Sequence, residues 1–140
     1  KLGGCGKSIC QLESNACLPY CSFDTNVHLL KDSIVYSVSC HTAEELGKSA
    51  IDYGVKSYIG YQDLLLFPED SMRSQDLFGD IHLEFLKRLL EGYTVGEAYS
   101  NMMMMEDTYI RLYKRIKWIG LPLLWNRLHL QVLGNFNARI

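Results

Sequence analysis

Residues 34–60, IVYSVSCHTAEELGKSAIDYGVKSYIG, constrain the chain more than any other stretch. Residues 34–38 are a short β-branched and apolar run, which suits a buried parallel strand. A sharp turn, Ser39-Cys40-His41-Thr42, follows. Thr42 and Glu45 have the S/T-x-x-E spacing of a capping box, which predicts a helix start. Ala43, Leu46, Ala50 and Ile51 fall on one face of that helix, and Gly47 permits close approach to a sheet. Gly54 is a stop signal, and residues 55–60 read as the next strand. A β-α-β unit of this length dictates parallel strands joined by a right-handed crossover. Cys40 then stands at the carboxyl end of a strand and beside a helix N-terminus, where open α/β sheets place their chemistry.

A chain of 140 residues with 48% hydrophobic content suits one small domain with a real core. The net charge of −2 gives no overall electrostatic case for nucleic acid or an anionic membrane. No apolar run approaches the ~20 residues of a membrane span, and no signal peptide is visible. The chain starts at Lys1 rather than Met, as expected of a trimmed piece of a longer protein. Four of the five cysteines, Cys5, Cys10, Cys17 and Cys21, crowd the first 21 residues. Without a secretion signal a disulfide framework is not expected. Their spacing offers a zinc alternative but lacks paired C-x2-C knuckles, and reduced thiols are the plainer reading.

Residues 1–26 read as an irregular Cys- and Gly-rich segment, mostly loop, with room for a short hairpin. GGCGKS, residues 3–8, has the end of a phosphate-binding loop. The nucleotide alternative through Gly3–Ser8 lacks a preceding strand, and no acid ends the IVYSV strand to hold Mg²⁺. After Gly60, residues 64–67 lead to Pro68 and a polar, mobile segment at 69–75. Asp76 is placed to cap a helix over 77–91, closed by Gly92, with Phe78, Ile81, Phe85, Leu86 and Leu89 as its stripe. Thr94 and Glu97 form a second capping box. It opens a long helix to about Trp118 with Ala98, Met102, Met105, Tyr109, Leu112 and Ile116 recurring at spacings of three and four. Met102 to Met105 cannot all face one side; they read as core plus partly exposed gap filling, or as a partner groove. Gly120 and Pro122 are expected to stop the helix. Residues 123–133 are expected to form a last strand, with Leu128, Leu130 and Val132 alternating.

A cysteine at a helix N-terminus has its thiolate favoured by the dipole, which makes Cys40 a candidate nucleophile. Catalysis also needs a base and an oxyanion site. The chain offers His28, His41, His82 and His129. His41 is adjacent to Cys40, and neighbouring side chains on such a turn diverge. His28 precedes the strand at its other end, His82 lies in a helical pattern, and His129 is in the last strand region. All four read as structural, and an inert buried thiol remains the plain alternative for Cys40.

The pieces IVYSVSC, AEELGKSAIDYG and VKSYIGY resemble the nucleophile segment of the caspase-like cysteine peptidases. That group includes caspases, gingipain, clostripain, separase and CHAT domains; the likeness is greatest to small bacterial and archaeal CHAT-like proteins. The resemblance continues in LLEGYTVGEAY, residues 89–99, and LLWNRLHLQVLGNFNA, residues 123–138. It implies that Cys40 attacks a peptide carbonyl. It further implies a partner His in a His-Gly pair at the end of the preceding strand, with backbone N–H groups beside that His and at Cys40 forming the oxyanion site. No His-Gly pair occurs in this sequence, so the His is expected upstream of Lys1, or the module is inactive. Asn135-Phe136 also stands where Asp-Pro is common.

The expected fold is therefore α/β, a three-layer sandwich with a mostly parallel sheet. It would be caspase-like and form the second half of a larger domain, all within residues 1–140. The expected function is a cytoplasmic thiol protease with Cys40 as nucleophile and no cofactor. Asp63, with Glu69 and Asp70, would make the cleft suit a basic substrate side chain, although solvated loop acids are the simpler account. Expected partners are a polypeptide substrate and the upstream part of the same protein, which completes the sheet, with no nucleic acid and no membrane. The alternative is an inactive caspase-like interaction module.

Overall fold

A computed structural model of the chain describes the backbone of residues 8–13, 16–22, 26–67 and 72–140, and side chains within 26–67 and 76–140. Two compact units emerge, one formed by residues 1–65 and 130–136 and the other by residues 66–129 and 137–140.

The first unit realises the β-α-β reading. Strands β3 (Ile34–Tyr36) and β4 (Ser57–Tyr61) pair in parallel, and helix α1 (Leu46–Asp52) joins them. A third strand, β5 (Leu130–Gly134), adds antiparallel to β4, giving the order β3-β4-β5. The sheet is thus mixed, one ladder of each kind, and not mostly parallel as the β-α-β signal alone implied. Val35, Tyr58 and Leu133 stand directly opposite one another in a row across all three strands. They pack in one apolar cluster with Val27, Leu30, Leu46, Ala50, Ile51 and Val55. Gly47 explains how α1 gets so close. A Cβ there would lie 2.9 Å from Tyr58 Cδ1, 3.0 Å from Leu133 Cδ1 and 3.1 Å from the Thr42 carbonyl oxygen, tighter than side chains normally pack. Gly54, at φ +90°, ends the helix, as its sequence position indicates.

A separate antiparallel hairpin, β1 (Ser8–Glu13) with β2 (Ala16–Ser22), occupies the segment read mostly as loop. Cys10, Cys17 and Cys21 fall in these strands, whereas Cys5 and the glycines of GGCGKS lie outside the described residues. Neither the zinc nor the nucleotide alternative is therefore addressed by described side chains.

The second unit is helical. Helix α2 (Met72–Leu90) begins well before Asp76, because Arg73, Ser74 and Gln75 contain no breaker and continue the helix N-terminally. The 69–75 expectation is thus corrected for Met72 to Gln75, and residues 69–71 lie outside the described residues. Leu77, Phe78, Ile81, Phe85 and Leu89 are buried; Leu86, one step of ~100° past Phe85, is 40% exposed. Helix α3 (Val95–Tyr113) opens on the Thr94/Glu97 capping box. Gly92 makes the preceding turn at φ +88°. Arg139 donates to the Gly92 carbonyl at 3.0 Å, and Val95 N–H donates to the Ala138 carbonyl at 2.9 Å, so residues 138 and 139 secure the start of α3.

The sharpest departure is at the end of α3. Helix α3 stops at Tyr113, and helix α4 (Lys117–His129) takes up the stretch read as helix end and strand. Pro122 lies inside α4, where its missing N–H forfeits the intrahelical bond to the residue 118 carbonyl without ending the helix. Gly120 is a contact residue rather than a stop: a Cβ would sit 2.8 Å from the Tyr113 carbonyl oxygen. The strand expected over 123–133 shrinks to Leu130–Gly134. Ile119, Leu123 and Asn126 form a buried line at spacings of four and three, a helical period hidden under the apparent alternation. Leu112 and Ile116, expected in the core, are exposed.

Candidate active site at the Cys40 turn

Beyond Tyr36 the chain leaves the ladder, loops out, and is pinned back along β4 and its continuation. Ser37 N–H donates to the Ile59 carbonyl at 2.8 Å, Ala43 N–H to Tyr61 at 3.0 Å and His41 N–H to Asp63 at 3.2 Å. Residues 59, 61 and 63 alternate along an extended chain, so their carbonyls address the same neighbour. The reversal occurs at His41, which holds a left-handed φ of 57° that costs a non-glycine residue free energy. Thr42, fully buried, donates its hydroxyl to the Ser39 carbonyl at 3.1 Å and ties the loop internally. Gly60 makes room for it, since a Cβ there would lie 2.6 Å from Thr42 Oγ1.

These bonds correct the expected cap. Thr42 does not cap a helix at Glu45; α1 starts at Leu46, with no side-chain cap, after a run of turns over residues 41–45. Cys40 follows a parallel strand as expected, but this turn separates it from the helix start, so the dipole argument for its thiolate falls away. The environment of the thiol is set by backbone groups instead.

Cys40 is a free, half-buried thiol. Leu65 N–H donates to its Sγ at 3.3 Å, the sole hydrogen bond to that sulfur among the described residues. No acceptor among the described residues takes the Cys40 N–H. Its neighbour His41 points Nδ1 at Glu44 Oε2, 3.4 Å away. His28 is exposed in a 3-10 turn, Val27–Leu30, ahead of β3. His129, in the helical unit, donates Nδ1–H to the Trp125 carbonyl at 2.7 Å and stacks on the Trp125 ring. His82 lies on α2, where burial lowers its pKa from 6.5 to about 4 and keeps it neutral. Among the described residues no histidine joins Cys40 in a hydrogen bond. Asp63 turns its carboxylate on the next residue, accepting from Leu64 N–H at 2.7 Å. Glu69 and Asp70, expected beside it in an acidic cleft, lie outside the described residues. Three or more potential metal ligands do not gather anywhere among the described residues.

Glu106 escaped the sequence reading. It continues the buried line Val95, Ala98, Met102 on α3 and is 3% exposed. Burial, the largest cause, raises its pKa from 4.5 to about 8; Arg127 opposes this and Asp107 adds to it. Arg127 is already paired with Asp107 at 3.3 Å, and Glu106 Oε2 has no hydrogen-bond partner among the described residues. The spacing of four from Met102 was the available signal. Asn126 is likewise buried, and its amide accepts from Leu66 N–H at 2.8 Å and donates to the Leu66 carbonyl at 2.7 Å.

The fold defines an α/β protein whose helices accompany a small mixed sheet. Comparison with family models, curated proteins and solved structures finds no match.

Proposed function

We propose that the Cys40 turn is the nucleophile half of a caspase-like cysteine endopeptidase, a cytoplasmic hydrolase of the CHAT type built on the three-layer sandwich of that group. The observation that carries this reading is a half-buried thiol four residues beyond a parallel strand, with a backbone donor on its sulfur at 3.3 Å. The Leu65 N–H fixes the position of the sulfur in the turn. The Cys40 N–H, which no described acceptor takes, is available for a developing oxyanion. In this mechanism the thiolate attacks the peptide carbonyl, and a His from a segment upstream of this sequence protonates the leaving amine. Water then hydrolyses the acyl-enzyme with the same His as base. Asp63 would favour a basic substrate side chain.

An inactive interaction module of the same fold is the second reading. It is favoured by one observation, that no described histidine hydrogen-bonds to Cys40. An acyloxymethyl ketone probe applied to the full-length protein separates the two. The peptidase reading expects labelling that Cys40→Ala abolishes. If iodoacetamide modifies Cys40 while the probe does not, the thiol is accessible but not catalytic, and the interaction module stands.

A further inference from the structure

Helix α4 carries large apolar residues on the side it exposes as well as on the side it buries. Ile119, Leu123 and Asn126 are buried. The opposite side presents Trp118, Leu121, Leu124 and Leu128, which are 51%, 59%, 42% and 68% exposed. At ~100° per residue these four fall within an arc of about 120° along the helix. Four large apolar side chains exposed together on one face call for a nonpolar neighbour there. At 13 residues α4 is ~20 Å long, too short to cross a ~30 Å hydrocarbon core. No helix among the described residues is long and apolar enough to cross a membrane. The second nonpolar medium must therefore lie alongside α4.

Charge identifies it. All 16 acidic residues occur at or before Asp107, and the remaining chain carries Arg111, Lys114, Arg115, Lys117, Arg127 and Arg139. The overall charge of −2 hides this division, which is why composition alone argued against an anionic surface. Arg111, Lys114, Arg115 and Lys117 are exposed and cluster in sequence from the last turn of α3 to the first residue of α4. Among the described residues no carboxylate forms an ion pair with any of the four. The α3 dipole favours Arg111 and Lys114 at its C-terminus, but Lys117 opens α4, where a cation opposes the dipole, and the cluster as a whole lacks a carboxylate among the described residues.

We propose that α4 docks flat on an anionic lipid bilayer. Trp118, Leu121, Leu124 and Leu128 enter the boundary between headgroups and acyl chains, and Arg111, Lys114, Arg115 and Lys117 meet lipid phosphates. An apolar protein partner would bury the same leucines but would not require four cations beside them that lack a carboxylate partner among the described residues. This inference is independent of the chemistry at Cys40.

The chain's two tryptophans, Trp118 and Trp125, are both on α4 and report on the surface directly. The full chain is floated with vesicles of phosphatidylcholine alone or with 40% phosphatidylglycerol, and tryptophan emission is followed. Binding and a blue shift are expected only with the anionic vesicles, and both are expected to weaken as salt rises. Lys114→Gln/Arg115→Gln/Lys117→Gln is expected to lower the partition coefficient on the order of 100-fold, about fivefold per cation. Leu121→Gln/Leu128→Gln is expected to lower it at least ~10-fold. These positions are exposed, and unchanged circular dichroism and melting establish that both variants fold. Absence of anionic-vesicle binding by the parent chain, or unchanged binding in either variant, overturns the proposal. So does a lipid-free dimer that Leu121→Gln/Leu128→Gln dissociates, which assigns the face to a second copy.

Discussion

Glu106 offers the most direct physical test of the helical unit. Its carboxyl is 3% exposed and titrates near 8 in the folded chain against 4.5 when exposed. Between those values the folded state holds a proton that the unfolded state has released, so stability falls as pH rises. The favourable contribution is complete below 4.5 and is lost as pH passes through 8. At ~1.36 kcal/mol per pKa unit, the full swing is about 5 kcal/mol, of which about 3 kcal/mol is lost by pH 7. Glu106→Gln keeps the shape of the neutral side chain and removes the titration. Urea unfolding of both proteins, followed by circular dichroism from pH 4 to 9, gives the difference in stability at each pH. The variant should gain on the parent by roughly 1.4 kcal/mol per pH unit above 4.5, levelling off above 8. Parallel stability curves would refute the reasoning and mean that Glu106 is solvated or paired in the folded chain.

His82 titrates in the opposite sense. Its folded pKa, lowered from 6.5 to about 4, gives stability that is present above 6.5 and lost as pH falls through 4, and His82→Gln should flatten that acid limb. Between 4.5 and 6.5 the His82 and Glu106 slopes nearly cancel, so the parent should show a plateau there in the same urea series. Gly60→Ala drives a Cβ to 2.6 Å from Thr42 Oγ1 and is expected to cost about 1–3 kcal/mol. Because Thr42 holds the Ser39 carbonyl, the same change should alter the rate at which iodoacetamide modifies Cys40; an unchanged rate and melting temperature would count against this account of the turn. Asn126→Leu strips Leu66 of both backbone partners and should cost about 2–4 kcal/mol in chemical denaturation.

The parts legible in sequence are those governed by local rules. Gly47 and Gly54, the parallel pairing of residues 34–36 with 57–59, and the Thr94/Glu97 box follow from spacing and residue chemistry alone. What failed depended on tertiary partners. Thr42 has the right spacing for a cap, yet its hydroxyl is taken by the Ser39 carbonyl because the turn is pinned to residues 61 and 63. Pro122 looks like a stop, but the helix it should have ended had already stopped at Tyr113, without a glycine or proline to mark the place. Glu106 has the core spacing of four from Met102, but a carboxylate there contradicts the polarity rule that defines the core, and the residue type outweighs the spacing. At Cys40 the strand and turn were legible. The Leu65 donor was not, since it comes from 25 residues downstream.

The row formed by Val35, Tyr58 and Leu133 also bears on how the chain can be made. Val35 and Tyr58 come from one compact stretch, but the Ser57 hydroxyl meets the Leu133 carbonyl across 76 residues. The whole segment 66–129 is synthesised between the two halves of the first unit. On a ribosome delivering residues from the N-terminus, β3, α1 and β4 wait with one side of β4 unpaired until residues 130–134 emerge. Long-range pairing of this kind is slow, and an unpaired strand invites the wrong neighbour meanwhile. A chain cut short before Leu130 would therefore lose the strand that closes the central β4, and its characteristic failure would be aggregation during synthesis.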